Sequence, residues 1–246
     1  MNKILLNTYS EINLYKKKSI KSEIVSQMIY GDSFLVLKKN KKWLKIKTKY
    51  DRYKGFVEKK NYGSYLKPTH KISSLSPFVY KNPNKKIKIN KITFGSKITI
   101  EKKHKQFVKF KKGWIEKNNI RPINYKDKNV FKKIKIFKNT KYKWGGKSFK
   151  GIDCSALVQI CLDFNNMYCP RDTKDQVRYF KKNISLKNIK KNDIIFWKGH
   201  VAVALSKNKL IHAYGPLKKT LIMNIHETID RIKRTSGLRV IAIKRI

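Results

Sequence analysis

The sequence predicts an α+β protein: two small β-barrels, then a domain in which helices pack on an antiparallel sheet. Three observations predict it. The N-terminal half repeats itself, since the same 64-position offset separates Gly31 from Gly95 and Trp43 from Phe107. Each copy consists of short apolar or alternating runs rich in Ile, Val, Phe and Tyr, divided by Gly, Asn and Lys turns, the pattern of a barrel of about five strands. The C-terminal half then changes period, with Ala156, Leu157, Ile160, Cys161 and Phe164 at helical spacing and strand-like runs after them.

In chain order, the first copy carries Leu14-Tyr15, Ile29 to Leu37, Trp43 to Ile46 and Gly55 to Lys59. The second answers with Val79-Tyr80, Thr93 to Ile100, Phe107 to Phe110 and Gly113 to Lys117. Pro68 and the run Ser73 to Pro77 mark the join, and Pro122 marks the exit. This places barrels over residues 1–66 and 67–124 and a third domain over 125–246. In that domain the spacing predicts a helix from Asp153 to Phe164 and a weaker one from Asp172 to Phe180. Strands follow over Asp193 to Trp197, His200 to Leu205 and Lys209 to Tyr214.

Composition narrows the class. Hydrophobic residues are 40% and aromatic residues 12% of the 246-residue chain, enough for a packed core despite 31% charged residues. The balance of 61 Lys plus Arg against 15 Asp plus Glu gives a formal charge of +46. Lysine is spread through every segment rather than gathered with stacking aromatics, so composition bias explains it better than a specific nucleic-acid site. Non-specific adhesion to polyanions at low salt is the expected by-product. The N-terminus lacks the apolar run of a signal peptide, and no stretch approaches the roughly 18 apolar residues of a membrane span, so the expectation is a cytoplasmic protein without membrane contact.

The three cysteines, Cys154, Cys161 and Cys169, match neither a zinc motif nor a disulfide framework, and no metal or other cofactor is expected. Cys161 and Cys169 read as small buried hydrophobes. Cys154 differs because it opens the predicted helix. A helix N-terminus carries about half a positive charge, which favours a thiolate and predicts a lowered thiol pKa. A nucleophilic thiolate needs an imidazole to take its proton, and that imidazole needs a polar group to orient it. His200 and His212, on neighbouring strands, supply both. A three-residue loop centred on Ser206 sets the two histidines opposite each other; a two-residue turn at Lys207-Asn208 pairs Val203 with His212 instead.

Several motifs together resemble the NlpC-type family of papain-like cell-wall peptidases: Tyr142-x-Trp144-Gly145-Gly146, Asp153-Cys154-Ser155, Pro170-Arg171, Asn192 to Phe196 before His200-Val201-Ala202-Val203, and Ile211-His212-Ala213. The resemblance covers about residues 128 to 215. It implies a papain-like domain with Cys154 as nucleophile, His200 as base, His212 as its orienting group and Tyr142 at the oxyanion. Ala156 departs from the family's usual glycine.

The two N-terminal copies resemble bacterial SH3-like domains found beside this peptidase in muropeptide-recycling members, through Ile29-Tyr30-Gly31-Asp32 and Asp51 to Val57. Those relatives imply that the first barrel restricts the cleft and helps capture the free amine of an N-terminal L-alanine. Asp153, Ser155, Tyr53 and Asp32 are the substrate-binding candidates here. The resulting expectation is a cysteine endopeptidase hydrolysing the γ-D-glutamyl-diamino acid bond of small muropeptides. Two rivals stay open at this point: an exported hydrolase of intact murein with its barrels as wall tethers, and a non-catalytic polyanion-binding module.

Overall fold

The sequence repeat is also a repeat of structure. In the computed structural model, which describes residues 4–246, strand Glu11–Tyr15 meets strand Lys54–Glu58 at Tyr15 and Phe56. One repeat later, strand Phe78–Tyr80 meets strand Gly113–Glu116 at Tyr80 and Trp114. The same tight turn recurs at Gly31, with φ of 85°, and Gly95, with φ of 80°. This left-handed conformation favours glycine. A side chain at Gly31 is barred twice over, because a Cβ there would lie 2.0 Å from the Lys97 carbonyl oxygen.

The first copy forms a seven-stranded antiparallel sheet in the order Ile24–Ile29, Glu11–Tyr15, Lys54–Glu58, Trp43–Thr48, Ser33–Lys39, Ile4–Leu6, Gly63–Ser64. That is two strands more than the expected five. The short first and last strands pair only with each other and with Ser33–Lys39, and carry too few residues for a period to show. Ile12, Leu14, Met28, Phe34, Leu44, Ile46 and Val57 fill its core. The second copy divides into a five-stranded and a three-stranded sheet around Ile72, Val79, Ile92, Ile98, Val108, Phe110, Ile115 and Ile120.

By its contacts the chain divides into two units. One takes the N-terminal residues through Lys126 together with Lys147–Phe149; the other takes Asp127–Gly146 and Lys150–Ile246.

The second unit is built on a six-stranded antiparallel sheet, ordered Lys182–Asn183, Val240–Arg245, Ile194–Trp197, His200–Ala204, Lys209–Tyr214, Lys219–Asn224. Helix α1, Cys154–Phe164, lies against strands His200–Ala204 and Lys209–Tyr214 with all eleven residues buried. A helix buried on all sides needs such surroundings, and each of its large apolar side chains contributes about 1.5–3 kcal/mol by leaving water. Helix α2, Thr173–Tyr179, follows. Helix α3, Ile225–Ser236, and the strands on either side of it lie beyond the elements expected from the sequence. Among the described residues, no helix is long and apolar enough to cross a membrane.

Candidate active site

The start of α1 is organised around Asp153. Its backbone is extended, and its Oδ1 accepts a hydrogen bond from the Ala156 N–H at 2.8 Å, the arrangement of an N-cap. Oδ1 also accepts from Ser155 Oγ at 3.2 Å and Arg171 Nη1 at 3.0 Å, while Oδ2 accepts from the Gly145 N–H at 2.9 Å and Arg171 Nη2 at 2.6 Å. The Trp144-Gly145-Gly146 turn therefore wraps the carboxylate. At Gly146 a Cβ would come within 2.5 Å of the Gly151 carbonyl oxygen, so the turn closes only with glycine there.

Asp153 and Ser155 carry a structural load at this point. Both are buried. The Asp153 carboxylate is neutralised by a forked pair with Arg171, and the Ser155 hydroxyl accepts from Arg171 Nη1 at 2.8 Å. Both hold the helix start through these bonds. Arg171 entered the sequence reading only as half of the Pro170-Arg171 motif, because a loop residue 18 positions from its partner leaves no periodic signal. Gln176 of α2 braces the same point, donating Nε2 to the carbonyls of Ser155 and Pro170 at 2.9 Å each.

Cys154 occupies the first turn that this network fixes. Its sulfur is hydrogen-bonded by the backbone of Val201 and of Ser155. The Val201 bond brings the backbone next to His200 up to the thiol. Contrary to the lowered pKa expected from the helix start, burial pushes the thiol up to about 11, and the Asp153 charge adds to the rise. The two backbone bonds and Arg171 oppose it without prevailing. Desolvation of a fully enclosed sulfur outweighs the half-charge of one helix end. At rest Cys154 is a thiol.

The histidines match that state. Burial lowers His200 to about 4 and holds His212 well below the ordinary value, His200 adding to the latter shift. Both are neutral at pH 7. Neither anticipated register occurs: Val203 pairs with Ile211 and Ala204 with Leu210. Continued, that register sets Tyr214 across from His200 and leaves His212 diagonal to it, on the same face. The diagonal is short enough for His200 Nε2 to reach His212 Nδ1 at 2.9 Å. The Tyr214 ring stacks on His212 with centroids 4.7 Å apart and 9° between planes.

Tyr142 joins the same site. Its N–H donates to the Lys218 carbonyl at 2.9 Å, and its ring lies 3.4 Å from where a Gly215 side chain would begin. Burial raises its phenol pKa, and Cys154 and Asp153 raise it further, so the hydroxyl keeps its proton as a donor beside the sulfur. The structure thus brings the Cys154 sulfur to the strand that carries His200, bonds His200 to His212, and sets Tyr142 where Cys154 and Asp153 act on it. This arrangement is equipped for acyl transfer: a thiol, a neutral base with an oriented partner, and a neutral hydroxyl donor. Cys161 and Cys169 are buried thiols. No group of three or more metal-ligating side chains occurs among the described residues.

The other two candidates lie in the first unit. Asp32 is buried, its Oδ2 accepting from the Ile29 N–H at 3.0 Å and standing 3.6 Å from Lys147 Nζ. It lines a cavity of about 450 Å³ with Tyr50, Asp51, Tyr65, Lys97 and Lys147. Tyr53 packs against the first core, while its near neighbours Tyr50 and Asp51 reach the cavity.

Comparison with known proteins follows the same division. Residues 139–234 match the NlpC/P60 family, and residues 14–61 match the bacterial dipeptidyl-peptidase Sh3 domain. Dipeptidyl-peptidase 6 of Lysinibacillus sphaericus is 24% identical over 229 residues, covering 82% of this chain and 84% of that protein. The murein DD-endopeptidase/murein LD-carboxypeptidase MepS of Escherichia coli K12 is 27% identical over 131 residues, covering 51% of this chain and 68% of that one. In fold, the chain resembles an NlpC/P60 family protein from Bacillus cereus ATCC 10987 with a TM-score of 0.82 at 17% identity, over 98% of this chain and 99% of that one.

Proposed function

We propose that this chain, which carries an NlpC/P60 domain and a bacterial dipeptidyl-peptidase SH3 domain, is a cysteine peptidase of cell-wall peptides that cuts the γ-D-glutamyl-diamino acid bond of small muropeptides with a free N-terminal L-alanine. One observation carries the reading: a buried thiol at a helix start, beside the strand that delivers a neutral histidine bonded to a second histidine.

In this reading His200 spends Nε2 on His212 and uses Nδ1 to take the Cys154 proton. The thiolate attacks the γ-carbonyl, and the Tyr142 hydroxyl donates to the oxyanion. The His200 imidazolium then protonates the departing amine of the diamino acid. Water, deprotonated by His200, hydrolyses the acyl-enzyme and restores the thiol. Storing nucleophile and base as a neutral pair suits a buried site, where an isolated charge is costly.

The preference for short peptides with a free amine rests on the likeness to dipeptidyl-peptidase 6. In the same reading the second N-terminal copy is a second SH3-like domain, supported by the repeated Gly31/Gly95 turn and the matching Tyr15–Phe56 and Tyr80–Trp114 pairs. Three substrates compared side by side test the preference: L-Ala-γ-D-Glu-meso-diaminopimelate, its N-acetylated form, and purified sacculi. Cleavage of the free tripeptide well ahead of the other two is expected. Preferential solubilisation of sacculi would replace this reading with that of a murein hydrolase.

A further inference from the structure

His212 has a second neighbour outside this scheme. Its Nε2 lies 3.3 Å from Sδ of Met223, on the adjacent strand Lys219–Asn224. Leu221 faces His212 directly, so Met223 reaches it along the diagonal of the same face. His212 is fully buried. It is enclosed by His200 at one nitrogen, Met223 at the other and the Tyr214 ring on its face.

Two neutral imidazoles 2.9 Å apart share one hydrogen, which either nitrogen can own. If His212 Nδ1 owned it, His200 Nε2 would be the acceptor and His200 Nδ1 would carry a hydrogen, unable to take one from the thiol. The far side of His212 decides between the two states. A thioether sulfur accepts weakly and donates nothing. A bare Nε2 would face sulfur lone pairs with no donor, an unmet acceptor in a buried place. With its hydrogen on Nε2, His212 donates to Met223 and presents the Nδ1 lone pair to His200.

We infer that Met223 is a positioning residue for the peptidase site: its thioether, acting through His212, selects the tautomer that leaves His200 Nδ1 free to accept the Cys154 proton. The chain reads His200 Nε2–H to His212 Nδ1, then His212 Nε2–H to Met223 Sδ. When the thiol gives up its proton, that proton stops on His200 Nδ1, and the two outer hydrogens stay in place.

The inference rests on the peptidase reading for its purpose, yet its first test needs no turnover. In the full-length protein labelled with ¹⁵N-histidine, His212 is expected as the Nε2–H tautomer; an Nδ1–H signal would overturn the proposal. Met223→Leu keeps the volume and removes the acceptor. It is expected to populate both tautomers and to lower kcat about two- to tenfold, the span of one neutral hydrogen bond, with KM unchanged. Met223→Gln, whose carbonyl oxygen accepts, is expected to return both readings to those of wild type. A Leu variant with an unshifted tautomer and full kcat would refute the role. A wild type without peptidase activity would refute the functional reading alone, since the tautomer is measured independently.

Discussion

His200 and His212 are bonded through Nε2 and Nδ1 at 2.9 Å although they do not sit opposite each other on their strands. The bond leaves one nitrogen of His200 for the thiol and makes the two histidines unequal. On the proposed mechanism His200→Ala removes the proton carrier itself, and kcat/KM is expected to fall on the order of a thousandfold, within the usual range for a general base. His212→Ala leaves the carrier unoriented and is expected to fall less. Steady-state kinetics on the tripeptide, with circular dichroism to confirm folding, ranks the two; equal losses would contradict the division of roles.

Tyr142 holds its proton because burial and the neighbouring Cys154 and Asp153 raise its pKa. Tyr142→Phe keeps the ring against Gly215 and deletes only the hydroxyl. A loss of about a hundredfold in kcat with little change in KM is expected for one oxyanion donor. A change confined to KM would move Tyr142 from the oxyanion to substrate binding.

Arg171 and Asp153 form a buried forked pair, with side chains 2% and 8% exposed. Arg171→Ala strands a buried carboxylate and is expected to cost about 3–5 kcal/mol of stability. Urea unfolding of Arg171→Ala, Asp153→Ala and the double variant checks it. The double variant should be much less destabilised than the sum of the singles, and additive losses would mean that the two residues act separately.

The site was legible in the sequence where a local pattern carries it. The apolar spacing from Ala156 to Phe164 located α1, and the Asp153-Cys154 step located its start. What failed was set by tertiary surroundings. The register between His200 and His212 depends on the turn at Leu205 to Lys209, where the Leu205 and Ser206 N–H groups both reach the Lys209 carbonyl, a geometry neither anticipated loop describes. The thiol pKa went the opposite way because the helix start is visible in sequence and the depth of burial is not. Helix α3 did leave a signal: Asn224 followed three residues later by Glu227 is a capping pattern, with Asn224 Oδ1 accepting from the His226 and Glu227 N–H groups. Gly237, at φ of 67°, ends it.

The two histidines also set a pH dependence. Their folded pKa values lie below the unfolded value near 6.5, His200 at about 4 and His212 also lowered. The unfolded chain therefore binds more protons in acid. Their neutral state supports the fold fully above about pH 6.5, and that support drains away as pH falls toward 4. Urea midpoints are expected to drop across this window, and to drop less in a His200→Gln/His212→Gln variant. Parallel curves for the two proteins would contradict the assignment of buried neutral imidazoles.

Whether the Cys154 sulfur is the nucleophile for the γ-D-glutamyl bond is decided by mass spectrometry of the enzyme quenched in acid during turnover of L-Ala-γ-D-Glu-meso-diaminopimelate. An adduct with the mass of the L-Ala-γ-D-Glu acyl group is expected on the peptide containing Cys154, together with free diaminopimelate, and neither with Cys154→Ala. Diaminopimelate released equally by Cys154→Ala would contradict that role.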